Sequence, residues 1–285
     1  MLSVSLKCLL GISLVFSMFS QGQLNAQTRY LPKAGFQTYG GGQQSNLPGV
    51  NGLHLTPGED RQSNQKSTYY PPGEPTLNGA LVRWEAKKMP LKIWIAPGYK
   101  LPDCPFEQIQ ETRVEEVYTM LKTPVADPFA QLQTAFSWTP DTNYIVANGL
   151  EQWRQFQNEG LLSFVFTDDP RNAQILIFFS DGFSDSGTPG GTHVAGITSA
   201  QVYPFDLAQQ VNIAQKPVII ELLLDGNLER LQAQSAHEFG HALGIKAHSP
   251  YRDDLMYVDR IVPQLSPGDV STLRFLYKQK PQYVL

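Results

Sequence analysis

Cysteine is almost absent from this chain. Of its 285 residues only Cys8 and Cys104 are cysteines. A disulfide framework is therefore excluded as the device that holds the fold. An excess of one charge is missing too. Lys and Arg number 22 against 26 Asp and Glu, a net charge of -4, so composition offers no basic stripe for nucleic acid and no lure for anionic lipid. No apolar run reaches the roughly 20 residues that a helix needs to cross a bilayer. No internal repeat at solenoid periods is present. Histidine is scarce, with five in the whole chain, and that scarcity gives its distribution meaning. What remains is ordinary globular material, 41% hydrophobic and 17% charged.

The most apolar stretch lies at the N-terminus. Lys7 is the only charge in residues 1–26, and a run from Cys8 to Phe19 follows, broken by Ser13 and Ser17. A polar stretch ending in Leu24-Asn25-Ala26 comes next, with small Ala26 suited to the position before a signal-peptidase cut. We expect residues 1–26 to be a signal peptide and the product to be secreted or periplasmic. Its removal takes Cys8 and leaves Cys104 alone, so no intrachain disulfide can form. Residues 27–79 are polar and full of breakers, among them Gly40-Gly41-Gly42, Thr56-Pro57-Gly58 and Pro71-Pro72-Gly73. They read as a flexible leader or pro-segment without a core.

Ordered structure is expected from near Leu81. Leu91, Ile93 and Ile95 alternate with polar or bulky neighbours, a strand pattern closed by Pro97-Gly98. Phe106, Ile109, Val114, Val117 and Leu121 lie at helical spacing. A second helix is expected from about Asp141 to Gln157. Leu161 to Phe166, Ile175 to Phe179 and Val218 to Leu224 are short apolar runs that fit buried strands, and Thr192 to Tyr203 suits an exposed edge strand. Asn227 can cap a helix reaching Gly244, and Ser266-Pro267-Gly268-Asp269 opens a last one. Alternating strands and helices argue for a largely parallel sheet covered by helices, an α+β fold with α/β character.

Three of the five histidines fall between positions 237 and 248, in His237-Glu238-Phe239-Gly240-His241-Ala242-Leu243-Gly244-Ile245-Lys246-Ala247-His248. On a helix, His237 and His241 lie one turn apart on one face, and their imidazoles can grip one ion. Zinc suits such nitrogen donors, and a catalytic zinc keeps three protein ligands and one open position. Glu238 neighbours the first ligand. It can take the proton of a water held in the open position and pass it to a leaving amine. Gly244 can end the helix in a left-handed conformation, after which the chain can turn and bring back His248 as third ligand. Asp253 and Asp254 are the competing candidates for that place.

This segment resembles the metzincin signature, and in detail that of the matrixin (matrix metalloproteinase-type) family. Asp254-Leu255-Met256-Tyr257 resembles the Met-turn beneath the zinc of that clan, Leu265 to Tyr277 its final helix, and Phe166 to Ile175 its second-to-third strand junction. The resemblance spans roughly Arg83 to Tyr277. It implies a peptidase domain over residues 80–285, with a twisted five-stranded mixed sheet, an active-site helix and a small subdomain after Gly244. It implies a secreted zinc endopeptidase in which His237, His241 and His248 bind zinc and Glu238 is the catalytic base. The edge strand near Val194 to Tyr203 would pair with an extended polypeptide substrate. Neither nucleic acid nor a lasting membrane anchor is expected as a partner. Three departures stand out. One extra residue separates Gly244 from His248, Val258 follows Met256-Tyr257 where proline is usual, and the Pro-Arg-Cys-Gly blocking motif is absent. A zinc hydrolase of a non-peptide amide or ester and a non-enzymatic binding module are the alternative readings.

Weaker candidates remain. Cys104 can act as a zinc-blocking thiolate or as a small packed residue. His193 suits strand packing better than a structural metal. Asp181 and Asp185 are too few for calcium, which wants 6–8 oxygens. His54 falls in the leader.

Overall fold

The structure is a computed structural model that describes residues 69–183, 194–211, 213–258 and 262–285. The expected signal peptide, most of the expected leader with His54, and also Asp185 and His193 lie outside the described residues.

The fold is α+β with a mixed sheet. Its strands are β1 (Val82–Arg83), β2 (Leu91–Lys100), β3 (Gln133–Thr134), β4 (Phe164–Phe166), β5 (Ile175–Ser180), β6 (Gly196–Ser199), β7 (Tyr203–Pro204), β8 (Val218–Leu223) and β9 (Tyr283–Val284). Its helices are α1 (Phe106–Lys122), α2 (Pro140–Glu151), α3 (Phe205–Gln210), α4 (Leu228–Ala242) and α5 (Pro267–Lys278). The large sheet has six strands where five were expected, in the order β3-β2-β5-β8-β6 with β4 also paired to β2, because β3 and β4 add at the two ends of the long β2. Strands β4, β2, β5 and β8 run parallel, while β6 returns antiparallel on β8 and β3 antiparallel on β2. β4 pairs with the start of β2 and β3 with its end. The parallel strands are the apolar runs of the sequence. Every residue of β5 is buried, as a strand covered on both faces must be. A small second sheet, β1-β9-β7, ties the two ends of the described chain together.

Three boundaries differ from the sequence reading. β2 does not stop at Pro97-Gly98. It continues to Lys100 through a register shift after Ile95, with Gly98 at φ +83°, so the breaker pair makes a bulge and not an end. The strand expected across Thr192 to Tyr203 is much shorter, and β6 is not exposed, because all four of its residues are buried. Packing also begins earlier than Leu81. Tyr70 and Glu74 are each 1% exposed, Tyr70 belongs to the main core, and its hydroxyl donates to Asp269 Oδ1 at 3.1 Å. The breakers at 71–73 shape a packed strap, because their neighbours, not a local apolar period, bury them.

The helix that carries the signature packs between α2 and the sheet. Phe239 and Ala236 face the core, and Trp153, beyond α2, donates its indole N–H to Ala236 O at 2.9 Å. α2 itself runs on into a 3-10 segment, Gln152–Gln157, so the helix expected over this region changes pitch partway.

Candidate metal centre

Asn227 starts α4 as expected, its side chain accepting from Arg230 N–H at 3.0 Å. The helix ends two residues before Gly244. Gly244 N–H donates to His241 O at 3.0 Å and Ile245 N–H to Gly240 O at 3.1 Å, the paired bonds of a Schellman motif. Gly244 sits at φ +109°, and a Cβ there would lie 2.1 Å from Val82 O. Only glycine satisfies both demands, and the turn it makes sends the chain back towards the helix face.

That turn completes a triangle of imidazoles. Ring centroids stand 4.8 Å apart for His237 and His241, 5.3 Å for His237 and His248, and 4.9 Å for His241 and His248. One ligand atom from each ring lies within 4.8 Å of the others. His237 Nδ1 is 2.8 Å from Leu255 O, and His241 Nδ1 is 2.7 Å from Ile245 O. A carbonyl oxygen only accepts, so in each ring Nδ1 carries a proton and Nε2 is the nitrogen left to face the cluster. These carbonyls fix tautomer and ring orientation as a second shell does for a metal-bound histidine. His241 Nε2 and His248 Nε2 are 3.3 Å apart. Two ligands at about 2.0–2.1 Å from a tetrahedral ion lie about 3.3–3.4 Å apart, so this pair already has the spacing zinc needs. Three nitrogen donors, two of them backbone-oriented, stand close enough to hold one metal ion.

The loop beyond His248 is closed on itself. Ser249 N–H donates to Met256 O at 2.8 Å, and Ser249 and Tyr257 form a parallel bridge. Asp254, fully buried, accepts from the hydroxyls of Ser249 and Ser266. Asp253 is exposed. Neither aspartate joins the cluster of His237, His241 and His248. The extra residue before His248 is absorbed in the turn after Gly244.

Met256 lies under α4, with its sulfur 2.4 Å from where a Cβ on Gly240 would be. Leu255 and Met256 N–H donate to the two oxygens of Asp269, at 2.8 and 3.2 Å, and Asp269 also accepts from Ser266 N–H at 2.9 Å. Burial pushes the Asp269 carboxyl up against the pull of these donors. From the sequence Asp269 is only the third residue of a capped helix. Its second task, fixing the turn whose carbonyl orients His237, gives no sequence signal.

Glu238 is buried beside the histidines, and its side chain lies against β6. Thr198 Oγ1 is 2.8 Å from Glu238 Oε2 and 3.0 Å from Glu238 O, and a Cβ on Gly196 would come within 2.9 Å of Oε1. Thr198 was not marked by any motif. The third unanticipated group is Lys246, 1% exposed, whose N–H donates to Pro72 O at 2.8 Å. Burial pushes its ammonium down to about 8, while nearby Glu74 and Glu238 pull it back up. Lysine is seldom buried without such compensation.

The weaker candidates fall away from this centre. Cys104 is half-buried at the start of α1, with Sγ 3.6 Å from Pro105 O and from Thr112 Oγ1, and it does not join the histidine cluster. Asp181 accepts from Lys100 Nζ at 3.0 Å and from Phe136 N–H at 2.6 Å, one donor on each oxygen.

No protein-family model matches the chain, and no curated protein matches it.

Proposed function

We propose that this chain is a secreted zinc endopeptidase of the matrixin type. The observation that carries the reading is the imidazole triangle with Glu238 on the same helix and the 3.3 Å spacing of two Nε2 atoms. The sheet adds support. Its parallel strands, the antiparallel strand β6 beside α4, and Met256 lying beneath that helix are compatible with the proposed reading.

His237, His241 and His248 would hold zinc through Nε2. Bound there, zinc would supply Lewis acidity to a water and to the scissile carbonyl. Glu238 accepts the proton of the attacking water and delivers it to the nitrogen of the departing amine. Thr198 holds the carboxylate in place from β6 with a hydrogen bond to one oxygen. β6 pairs with β8 on one side and has no strand on its other side among the described residues; its side chains are buried, so an extended polypeptide would add through the main chain of that edge. Main-chain pairing of that kind suits peptide substrates better than small amides or esters.

The test is cleavage of an unstructured protein substrate by the exported chain and by Glu238→Ala. The expected outcome is cleavage by the parent, abolished by chelation and reduced by on the order of a hundredfold or more in the variant, with zinc retained. Equal turnover by the two would overturn the role of Glu238. Zinc binding without cleavage of any peptide would leave a binding module.

A further inference from the structure

A cavity of about 420 Å³ lies apart from the histidines, at the N-terminal ends of β2, β5 and β8. Four cationic side chains from four separate pieces of chain line it. Lys88 closes the turn before β2, Lys122 ends α1, Arg171 sits in the turn before β5, and Lys216 precedes β8. No carboxylate among the described residues lines it, in a chain whose net charge is -4. The concentration is local and against the trend of the whole molecule.

The cations are held in place. The Arg171 guanidinium donates to the carbonyls of Thr123, Val125 and Ala126, which pins the end of α1 to the turn before β5. Lys122 Nζ lies 4.7 Å and Lys216 Nζ 5.6 Å from the centre of one ring, that of Tyr118. Two ammoniums are thus kept against one aromatic ring, whose quadrupole attracts each of them. Lys216 pairs with Glu115 beside the cavity. Lys88 and Lys122 pair with no carboxylate among the described residues. Positive charge gathered in a concave, partly apolar wall focuses the field on the cavity and raises the local concentration of anions. A volume of this size suits a small molecule.

We propose that this cavity binds a small oxyanion, a phosphate or sulfate ester whose apolar body rests beside Tyr118 on the neighbouring aliphatic wall. The site is independent of the histidine centre and stands whether or not that centre hydrolyses peptides.

Isothermal titration of the zinc-loaded protein with phenyl phosphate and with phenyl sulfate, at low ionic strength, tests it. Saturable binding of at least one ester is expected, weakened tenfold or more in the double variant Lys88→Ala/Lys122→Ala and unchanged in Lys92→Ala, whose side chain is outside the lining. Tighter binding of phenyl phosphate assigns the phosphate ester, and equal or tighter binding of phenyl sulfate assigns the sulfate ester. The absence of saturable binding at millimolar ligand, or equal affinity in the double variant and the parent, would overturn the proposal.

Discussion

At the scale of single residues, the proposed centre separates groups that would hold the metal from groups that hold those groups. His248 is proposed as one of the first kind. Replacing it with alanine leaves two nitrogen donors, so zinc affinity is expected to fall by at least a hundredfold, read by competition with a chromogenic chelator. Stoichiometric zinc at unchanged affinity would remove His248 from the ligand set. Thr198 belongs to the second kind. Thr198→Val keeps the shape and removes the hydroxyl that donates to Glu238 at 2.8 Å. A hydrogen bond to a charged group contributes about 1.5–3 kcal/mol, so kcat is expected to drop on the order of tenfold or more with zinc content unchanged. The histidine cluster was legible because two of its members lie one turn apart on a single helix and the third follows a helix-ending glycine. Thr198 was not, because it reaches Glu238 across 40 residues of sequence and nothing in its own strand marks it. Lys246 was visible as a residue, but its burial depends on Pro72 and Glu74, which come from a segment with no apolar period.

At the scale of elements, caps and apolar runs could be read directly, and pairings could not. Asn227 and Ser266 begin their helices because their side chains satisfy N–H groups that the helix leaves open, a purely local matter. The bulge in β2 and the burial of β6 depend on neighbours distant in sequence. One consequence of β8 packing can be measured. Glu221 lies buried there, 2.9 Å from Arg113 Nε. Burial works against the Arg113 charge, but Glu221 and Glu116 outweigh it and raise the guanidinium further. For Glu221 burial wins over the single arginine and pushes the carboxyl up to about 6. A raised acid costs nothing where it is protonated in both states and costs most where it is ionised in both. Stability from this group is therefore lost as pH rises from about 4.5 to about 6, by about 2 kcal/mol. Subtracting urea-unfolding free energies of Glu221→Gln from those of the parent across that range is expected to show the loss, and a flat difference would refute it. A second consequence concerns α4. Gly244→Ala must take φ +109° and meet Val82 O, so a destabilisation of about 2 kcal/mol or more is expected in the same assay.

At the scale of the whole molecule, the histidine cluster is held from both ends of the described chain. Tyr70 reaches Asp269, and its N–H donates to Thr272 Oγ1 at 3.0 Å, while Pro72 accepts from Lys246. Through Asp269 and the Met256 turn, the strap at residues 70–74 bears on the carbonyl that orients His237. A chain beginning at Leu81 is therefore expected to melt well below one beginning at Tyr69. Loss of the buried Tyr70 ring alone is worth on the order of 3 kcal/mol. Equal melting temperatures would show the strap to be dispensable. Composition and breaker content spoke for a loose leader here, because a strap that borrows its core from distant elements has no signature of its own.

The most direct test of the metal centre is zinc K-edge X-ray absorption on the purified, zinc-loaded protein. The expected first shell is three imidazole nitrogens at about 2.0–2.1 Å with one further light atom and no sulfur, reduced to two imidazoles in His248→Ala. A sulfur scatterer, or the same number of imidazoles in parent and variant, would contradict the three-histidine centre.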